Sequence, residues 1–390
     1  MDLFEKCYKP SLAKQAREAG IYPYFHALQS RQDTEVIMEG KRRIMLGSNN
    51  YLGLTTEPSV VEAGIKAIEK YGTGCSGSRF LNGTLQMHLE LEYELAKFLN
   101  KEAAMTFSTG FQSNLGIISA IAGMGDYILN DKENHASIYD ACRLSFAKTF
   151  QYKHNDMEDL ERILQNLSGK GGILIVTDGV FSMTGEIANI PEIVRLAKKY
   201  GARVMVDDAH GLGVLGDGGR GTASHFGLED DVDIYMGTFS KSLASLGGYM
   251  VAKADVVDYV KHASRPFIFS ASITPSSCAV ALAALKHLSS HPEIVTRLND
   301  LSNYARTCFK NKGVPIIEAS TPIIPIYTYE VENTLLKARE IYEDGVYTNP
   351  VLPPATNPGE CLLRTSYMAT LNESLIDEAT DIIAKHVLQK

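Results

Sequence analysis

The sequence predicts an α/β protein: a mostly parallel central sheet with helices on both faces, followed by a smaller α+β C-terminal domain. Between about residues 100 and 252, short apolar runs alternate with helical patterns, which is typical of strand–helix–strand units. After Pro275, long helical patterns come first and short strands follow. We therefore expect an N-terminal arm with a short strand over residues 1–55, a large domain over 56–275 and a small domain over 276–390.

The spacing of apolar residues locates the individual elements. In the arm, a strand is expected at Arg43–Leu46. The strands expected in the large domain are Ala103–Phe107, Tyr127–Asn130, Thr149–Tyr152, Ile173–Thr177, Arg203–Asp207, Ile234–Gly237 and Tyr249–Ala252, and the helices are Phe111–Ile121, Ser137–Leu144, Met157–Gln165 and Pro191–Tyr200. The small domain is expected to contain helices at Pro275–Ser289, Ile294–Lys312 and Glu373–Leu388, and strands at Ile323–Tyr329 and Leu362–Thr365.

Composition narrows the class of function. The chain has 390 residues and a net charge of −8, which excludes an overall basic field for nucleic acid. Its six cysteines include no C-x-x-C pair, as expected of a reduced cytoplasmic protein rather than a disulfide framework. The N-terminus lacks the apolar segment of a secretory signal, and no apolar run approaches the roughly 18 residues that span a bilayer.

The segment GTFSKSLASLGG places a lysine, Lys241, among small residues after an apolar run. Its amine can attack an aldehyde, while Thr238 and Ser240 offer hydroxyl groups to a phosphate. The competing interpretation is a surface lysine in a loop of small residues. This segment alone does not decide between the two.

A second segment, VMVDDAHGLGVLG, ends an apolar strand at Asp207, and His210 follows three residues later. A carboxylate at a strand end can keep a pyridine nitrogen protonated, and the histidine could bond a ring oxygen. A cation site or a simple strand-end cap would use similar residues. The GLGVLG match to a dinucleotide fingerprint is rejected, because the glycine-rich continuation GDGGRGTASHFG cannot open the helix that the fingerprint requires.

Two further segments follow predicted strands. In FSTGFQSN, Ser108, Thr109 and Gly110 precede a helix, whose free N–H groups can cradle a phosphate or serve as an ordinary helix start. In DKENHASIYD, His135 lies between a strand and a helix, where a flat imidazole could stack on a ring; a lone histidine is more often structural. Ser182 follows the strand ILIVTDG and could supply another hydroxyl.

In three further segments, the interpretation is less decisive. GSNNYLGL, which contains Asn49, and GTGCSGSRFLNGT are loops with ordinary turn chemistry. Arg364, at the end of an apolar strand, could bind a carboxylate or form a salt bridge between domains. Taken together, the strand-end motifs supply phosphate donors, a ring acid, a flat imidazole and a reactive lysine, which is what one site for pyridoxal 5′-phosphate (PLP) requires.

In this order, STGFQSN, ENHAS, DDAHGLGVLG, GTFSK and the Arg364 segment resemble the α-oxoamine synthases. These are fold-type I PLP-dependent enzymes that condense an amino acid with an acyl-CoA and release CO₂. The resemblance runs from about Ile21 to the last helix. It implies PLP on Lys241 as a Schiff base and a likeness in fold over nearly the whole chain.

The resemblance also assigns roles to matched positions. Lys241 would hold PLP and remove the substrate's α-proton, Asp207 would bind the ring nitrogen, and His135 would stack on the ring. The other implied contacts are Gly110, Phe111, Thr238 and Ser240 with the phosphate, Ser270 with the phosphate of a partner subunit, His210 and Ser182 with the ring 3′-oxygen, and Asn49 and Arg364 with the amino-acid carboxylate. A homodimer with shared active sites follows from the role of Ser270.

Within that family, T-F-S-K before the reactive amine and the FSASITP segment are most similar to the bacterial homodimeric branch that joins L-serine to a long-chain acyl-CoA such as palmitoyl-CoA. The implied products are 3-ketosphinganine, CoA and CO₂, at the first step of sphingolipid biosynthesis, and such a lipid could be released at a membrane surface. One alternative is another α-oxoamine synthase that uses glycine or alanine with a shorter acyl group, such as a glycine C-acetyltransferase or an 8-amino-7-oxononanoate synthase. A second is an aminotransferase. A third is a non-catalytic subunit, but the presence of Lys241, Asp207 and His135 argues against it.

Overall fold

The structure is a computed structural model that describes residues 2–389. Its strands are β1 Glu35–Met38, β2 Lys41–Met45, β3 Ala103–Phe107, β4 Tyr127–Asp131, β5 Lys148–Tyr152, β6 Ile173–Asp178, β7 Arg203–Asp207, β8 Ile234–Thr238, β9 Gly248–Ala252, β10 Ile323–Tyr329, β11 Val346–Tyr347, β12 Asn349–Val351 and β13 Cys361–Ser366. Its helices are α1 Glu5–Tyr8, α2 Leu12–Glu18, α3 Pro58–Tyr71, α4 Gln86–Phe98, α5 Gly110–Ile121, α6 Ala136–Leu144, α7 Met157–Leu167, α8 Ile190–Tyr200, α9 Thr222–His225, α10 Ala254–Ala263, α11 Arg265–Ile268, α12 Pro275–Ser290, α13 Glu293–Asn311, α14 Val331–Glu343 and α15 Glu373–Val387.

The central sheet has seven strands in the order β3-β9-β8-β7-β6-β4-β5. Only β9 runs antiparallel to its neighbours, β3 and β8. All residues of β6, β8 and β9 are buried, since helices cover both faces of the sheet, and this explains their continuous apolar sequences. The predicted α/β class is confirmed, and the carboxyl ends of the parallel strands share one edge.

Local sequence fixes where the helices begin at that edge. Thr109 caps α5 by accepting a hydrogen bond from the Gln112 N–H, and Asp156 caps α7 in the same way. No helix begins within GLGVLG, so this segment does not form the turn and helix of a dinucleotide site. One correction applies: its glycine-rich continuation does form a single helical turn, α9, but that turn begins only after GLGVLG has ended.

Several elements were not predicted, chiefly the helices α3, α4, α10 and α14 and the first strand of the arm. The arm contains a hairpin, β1–β2, rather than one strand, and β2 also pairs with β11. A second three-stranded sheet has the order β10-β13-β12. Apolar residues of β1 and β2 share a core with α13, α14, α15 and β13, so the hairpin packs on the C-terminal part of the chain.

The helix α12 packs against α3 and α4, and its buried residues belong to the core of the large sheet. We therefore propose that the large domain extends to about residue 290, past the boundary expected at 275. Within residues 2–389, no helix combines the length and the apolar character needed to cross a membrane.

Candidate active site

Two adjoining cavities lie at the carboxyl edge of the central sheet. The inner cavity has a volume of about 220 Å³, and the outer cavity one of about 670 Å³. Four side chains predicted from the sequence line both: His135, Ser182, His210 and Lys241. The structure therefore brings together residues that follow four different strands.

The floor of the inner cavity is formed by Asp207, the last residue of β7, whose side chain is buried. One carboxylate oxygen, Oδ2, accepts a 2.7 Å hydrogen bond from the Asn114 amide, and Oδ1 accepts one of 3.1 Å from the Ala209 N–H. These two donors hold the carboxylate in one orientation. The oxygen of the same Asn114 amide, Oδ1, is buried and has no hydrogen-bond partner among the described residues.

The Lys241 amine faces this acidic floor. Burial lowers the pKa of Lys241 to about 8, although Asp207 and Asp178 act in the opposite direction. Burial also holds the pKa of Asp178 well above its usual range, an effect that the neighbouring Asp207 increases. A lysine with so low a pKa is partly unprotonated near neutral pH, and an unprotonated amine is nucleophilic.

At the opposite end of the inner cavity, small residues bring two backbone segments together. The hydroxyl groups of Thr238 and Ser240 lie 2.8 Å apart, and both residues line the cavity with the first turn of α5. A Cβ atom at Gly110 would lie 2.8 Å from Thr238, so only glycine permits this approach. Free N–H groups at a helix start together with two hydroxyl groups form a phosphate-binding arrangement.

His135 and Phe111 form one wall of this cavity, with ring centroids 6.2 Å apart and an interplanar angle of 77°. Nδ1 of His135 bonds the backbone N–H and the hydroxyl of Ser137. These bonds fix the ring and leave Nε2 free. The imidazole therefore presents a rigid, flat surface to the cavity.

On the other side, His210 belongs to a buried network. Its Nδ1 lies 2.6 Å from the Tyr51 hydroxyl, which in turn lies 3.3 Å from Nη2 of Arg364. Burial, with smaller contributions from Lys241 and Arg364, holds the pKa of His210 well below its usual range. Burial also raises the pKa of Tyr51, so the phenol keeps its proton and we assign it as the donor to Nδ1. His210 is then neutral, with its proton on Nε2.

Arg364 connects the C-terminal sheet to the central sheet. Its Nε donates to the Ser182 carbonyl at 2.5 Å and its Nη2 to Oδ1 of Asn49 at 3.0 Å. Within residues 2–389, it forms no ion pair with a carboxylate. The salt-bridge interpretation is therefore wrong for the described residues: this buried guanidinium lines the outer cavity, and no carboxylate of residues 2–389 pairs with it.

Apolar residues from three separate segments form much of the outer cavity. They come from helix α2, from the start of α14 and from the end of β12 with the segment after it, and they include Leu12, Ala13, Ala16, Leu335, Val351 and Leu352. Sequence reasoning did not identify these residues, because no motif connects segments so far apart in the chain.

Ser270 lines neither cavity. It lies between α11 and α12, next to Ala271, whose carbonyl accepts a hydrogen bond from the Ser108 hydroxyl and which forms a bridge to Ser78. Phe269, the residue before Ser270, is exposed, and so are Phe80 and Leu81, which follow Ser78 in the chain.

Sequence reasoning also missed Tyr51, Asn114 and Asp178. Of these, only Asp178 carries a sequence signal, since it ends the strand ILIVTD at the ligand edge. The cation interpretation of the DDAH segment loses support, because Asp208 accepts hydrogen bonds from both the N–H and the hydroxyl of Thr222, at 2.7 and 2.5 Å.

The comparisons with known proteins agree with this geometry. A family model described as aminotransferase class I and II matches residues 41–383, so the chain belongs to that family. The chain is 51% identical to a serine palmitoyltransferase from Sphingobacterium spiritivorum, over 97% of this chain and 95% of the relative. It is 42% identical to an 8-amino-7-oxononanoate synthase from Geobacter sulfurreducens, over 95% and 96% of the two chains.

Among solved structures, the fold matches that of a serine palmitoyltransferase (SPT) with the PLP internal aldimine, with a TM-score of 0.96 and 36% identity. The match covers 99% of this chain and 98% of that one. The predicted resemblance to the α-oxoamine synthases is confirmed. The T-F-S-K segment predicted one branch of that family, and the Sphingobacterium relative belongs to this branch by its name.

Proposed function

We propose that this protein is a PLP-dependent acyltransferase that condenses L-serine with a long-chain acyl-CoA, such as palmitoyl-CoA, and releases 3-ketosphinganine, CoA and CO₂. The observation that carries the proposal is the near-full-length similarity to a serine palmitoyltransferase, combined with a lysine–aspartate pair in a cavity at the ligand edge of the sheet.

The inner cavity fits PLP. Lys241 offers an amine to the aldehyde, Asp207 a fixed carboxylate to the ring nitrogen, and the start of α5 with Thr238 and Ser240 a cradle for the phosphate. His135 would lie against the ring, while neutral His210 and Ser182 would bond the 3′-oxygen. When bound, PLP supplies an electron sink for the negative charge that forms on the α-carbon of the amino acid.

The chain's own residues then orient the substrate and move its protons. Arg364 and Asn49 would bind the serine carboxylate, since the guanidinium has no carboxylate partner among the residues that the structure describes. The Lys241 amine, whose pKa is about 8, would accept the α-proton and later return a proton to the product. Fixed donors around Asp207 keep the carboxylate in place through these steps.

The outer cavity suits an apolar acyl group. Its walls from α2, α14 and the segment after β12 are mostly aliphatic. Each CH₂ group that becomes buried contributes about 0.8 kcal/mol, so such a wall favours long chains over acetyl by a wide margin and separates neighbouring lengths weakly.

The test is to measure kcat/KM by CoA release for serine, glycine and alanine, each with acetyl-, octanoyl- and palmitoyl-CoA. We expect serine with palmitoyl-CoA to be the best pair. If glycine with acetyl-CoA or another short-chain pair is best, the protein is a different α-oxoamine synthase, the alternative favoured by its 42% identical relative. Amino-group transfer without CoA release would indicate an aminotransferase.

We further propose a cytoplasmic homodimer in which Ser270 of each subunit completes the phosphate site of the other. The supporting observation is that three large apolar side chains are exposed close in the chain to the Ser78–Ala271 bridge: Phe80, Leu81 and Phe269. Sedimentation should give a dimer, and Phe269→Asp should weaken both the dimer and PLP binding. A fully active monomer would contradict shared sites.

Contact with a membrane surface during product release is part of the same proposal, and sedimentation with lipid vesicles tests it.

A further inference from the structure

Three loops meet at the outer end of the ligand edge. They follow the neighbouring strands β6, β4 and β5, and His154 lies just after β5, where it contacts the other two loops. His154 itself lines neither cavity.

His154 joins two carboxylates. Its Nδ1 lies 2.9 Å from Oδ1 of Asp131, at the end of β4, and its Nε2 lies 3.2 Å from Oε2 of Glu186, in the loop after β6. Glu133 is the third acidic group facing the ring, 3.7 Å from Nε2. Because ionised carboxylates only accept hydrogen bonds, both ring nitrogens must donate, and the ring is an imidazolium. Burial lowers the pKa of His154, but the bonds with Asp131 and Glu186 outweigh it and raise that pKa to about 10.

The same segment holds the loop after β6 at further points. The ring of Phe181 meets His154 edge-on, with centroids 4.3 Å apart. The next residue, Asn155, donates to the Ile187 carbonyl at 3.2 Å and accepts from the Asn189 N–H at 3.0 Å. His154 and Asn155 together therefore fasten this loop at both ends.

The inner side of that loop forms part of the active site. Ser182 and Met183 line the outer cavity, and the Ser182 carbonyl accepts the 2.5 Å hydrogen bond from Nε of Arg364. A continuous series of contacts thus runs from His154 through Glu186 and the loop to the guanidinium.

We propose that His154 is a positioning residue: by fastening the 181–187 loop to Asp131, it holds the Ser182 carbonyl where Arg364 is aimed at the carboxylate of the amino-acid substrate. This inference rests on the proposed function. It assigns His154 no contact with the substrate.

The experiment compares His154→Gln with the control His386→Gln in the full-length, PLP-loaded protein. His386 also contacts two carboxylates, Asp344 at 2.7 Å and Glu340 at 3.5 Å, but it lies on α15 and lines neither cavity. For His154→Gln, we expect KM for serine to rise about tenfold while kcat changes by less than about twofold. The control should leave both constants unchanged.

A second measurement needs no substrate. The Phe181 N–H bonds the Glu186 carbonyl, and the Gly185 N–H bonds the Phe181 carbonyl. Hydrogen exchange at these two amides should become faster in His154→Gln and stay unchanged in His386→Gln. Unchanged exchange with an unchanged KM would overturn the inference. A proportional loss of kcat without a rise in KM would also overturn it.

Glu186→Gln removes the charge of the partly exposed partner and serves as the second variant if His154→Gln does not fold. We expect the same direction with a smaller rise in KM, and an unchanged KM in this variant counts against the inference. If the wild-type protein prefers glycine or alanine, the proposed function fails, but the same KM comparison with that amino acid and the hydrogen exchange still decide the role of His154.

Discussion

The two cavities of this site are built in opposite ways. The inner cavity is polar, and its residues follow strands of one sheet; hydrogen bonds orient Asp207 and join Thr238 to Ser240. The outer cavity is largely apolar, and its walls come from the arm, α14 and the segment after β12. His135, Ser182, His210 and Lys241 line both cavities and connect the two. In our proposal, chemistry belongs to the inner cavity and substrate selection to the outer one.

This difference separates rigid residues from adjustable ones. A carboxylate held by two donors, such as Asp207, cannot move without breaking them, whereas an aliphatic wall can change size with little effect on the inner cavity. Substitutions in the inner cavity should therefore change rate, and those in the outer cavity should change preference. The four predictions below test that division, beginning with the largest expected effect.

Removal of the reactive amine is expected to abolish activity. Lys241→Ala should lose the visible absorbance of lysine-bound PLP and all detectable CoA release, because the chain offers no other amine in the inner cavity lining. Lys253→Ala, at the start of α10, is the control and should behave as wild type. Borohydride reduction of the wild-type protein followed by peptide mapping should place the pyridoxyl group on Lys241. A label on another lysine would refute the assignment.

Asp207→Asn should bind PLP but lose several orders of magnitude in kcat. An amide lacks the charge that keeps a ring nitrogen protonated, so the loss should exceed the roughly 1–3 kcal/mol of one ordinary buried hydrogen bond. Absorbance spectra establish that PLP is bound, and single-turnover rates measure the chemical step. Near-normal turnover in this variant would mean that another group supports the ring nitrogen.

These two residues also show how far the sequence could predict the site. Lys241 and Asp207 lie in short motifs at strand ends, and parallel strands bring their carboxyl ends to one edge; the sequence therefore predicted the inner cavity well. Tyr51 and Asn114 carry no such signal, because their roles depend on His210 and Asp207 lying nearby in space. In the arm, the sequence predicted β2 but not β1. It also gave no sign that β2 pairs with β11, because that strand lies about 300 residues away in the chain and local periodicity cannot reveal such pairing.

The third prediction concerns the rate at which the apoprotein reacts with PLP. Below pH 8 the unprotonated fraction of an amine with pKa about 8 falls about tenfold per pH unit, so the rate of covalent attachment should rise with pH and level off above about 8. N-acetyl-lysine is the control, and its rate should still be increasing at pH 9. A protein rate that follows the control to pH 10 would show that burial does not lower the pKa of Lys241.

The smallest expected effect is on chain-length preference, and it tests the outer cavity alone. Ala13 lies on α2, is partly buried and lines the outer cavity but not the inner one. A tryptophan at this position would occupy space next to Leu12 and Ala16 and would displace part of a long acyl chain. Loss of the burial of one or two CH₂ groups, at about 0.8 kcal/mol each, should lower the preference for palmitoyl- over octanoyl-CoA by about fourfold to fifteenfold. Ala19→Trp, at the exposed end of the same helix, is the matched control.

The measurement is the ratio of kcat/KM for the two acyl-CoAs, together with KM for serine, which should not change. If Ala13→Trp instead raised KM for serine or altered the PLP spectrum, selection and chemistry would not be separate, and the division between the cavities would fail. An unchanged ratio in a folded variant would mean that the acyl chain lies away from α2, along the walls formed by Leu335 and Val351.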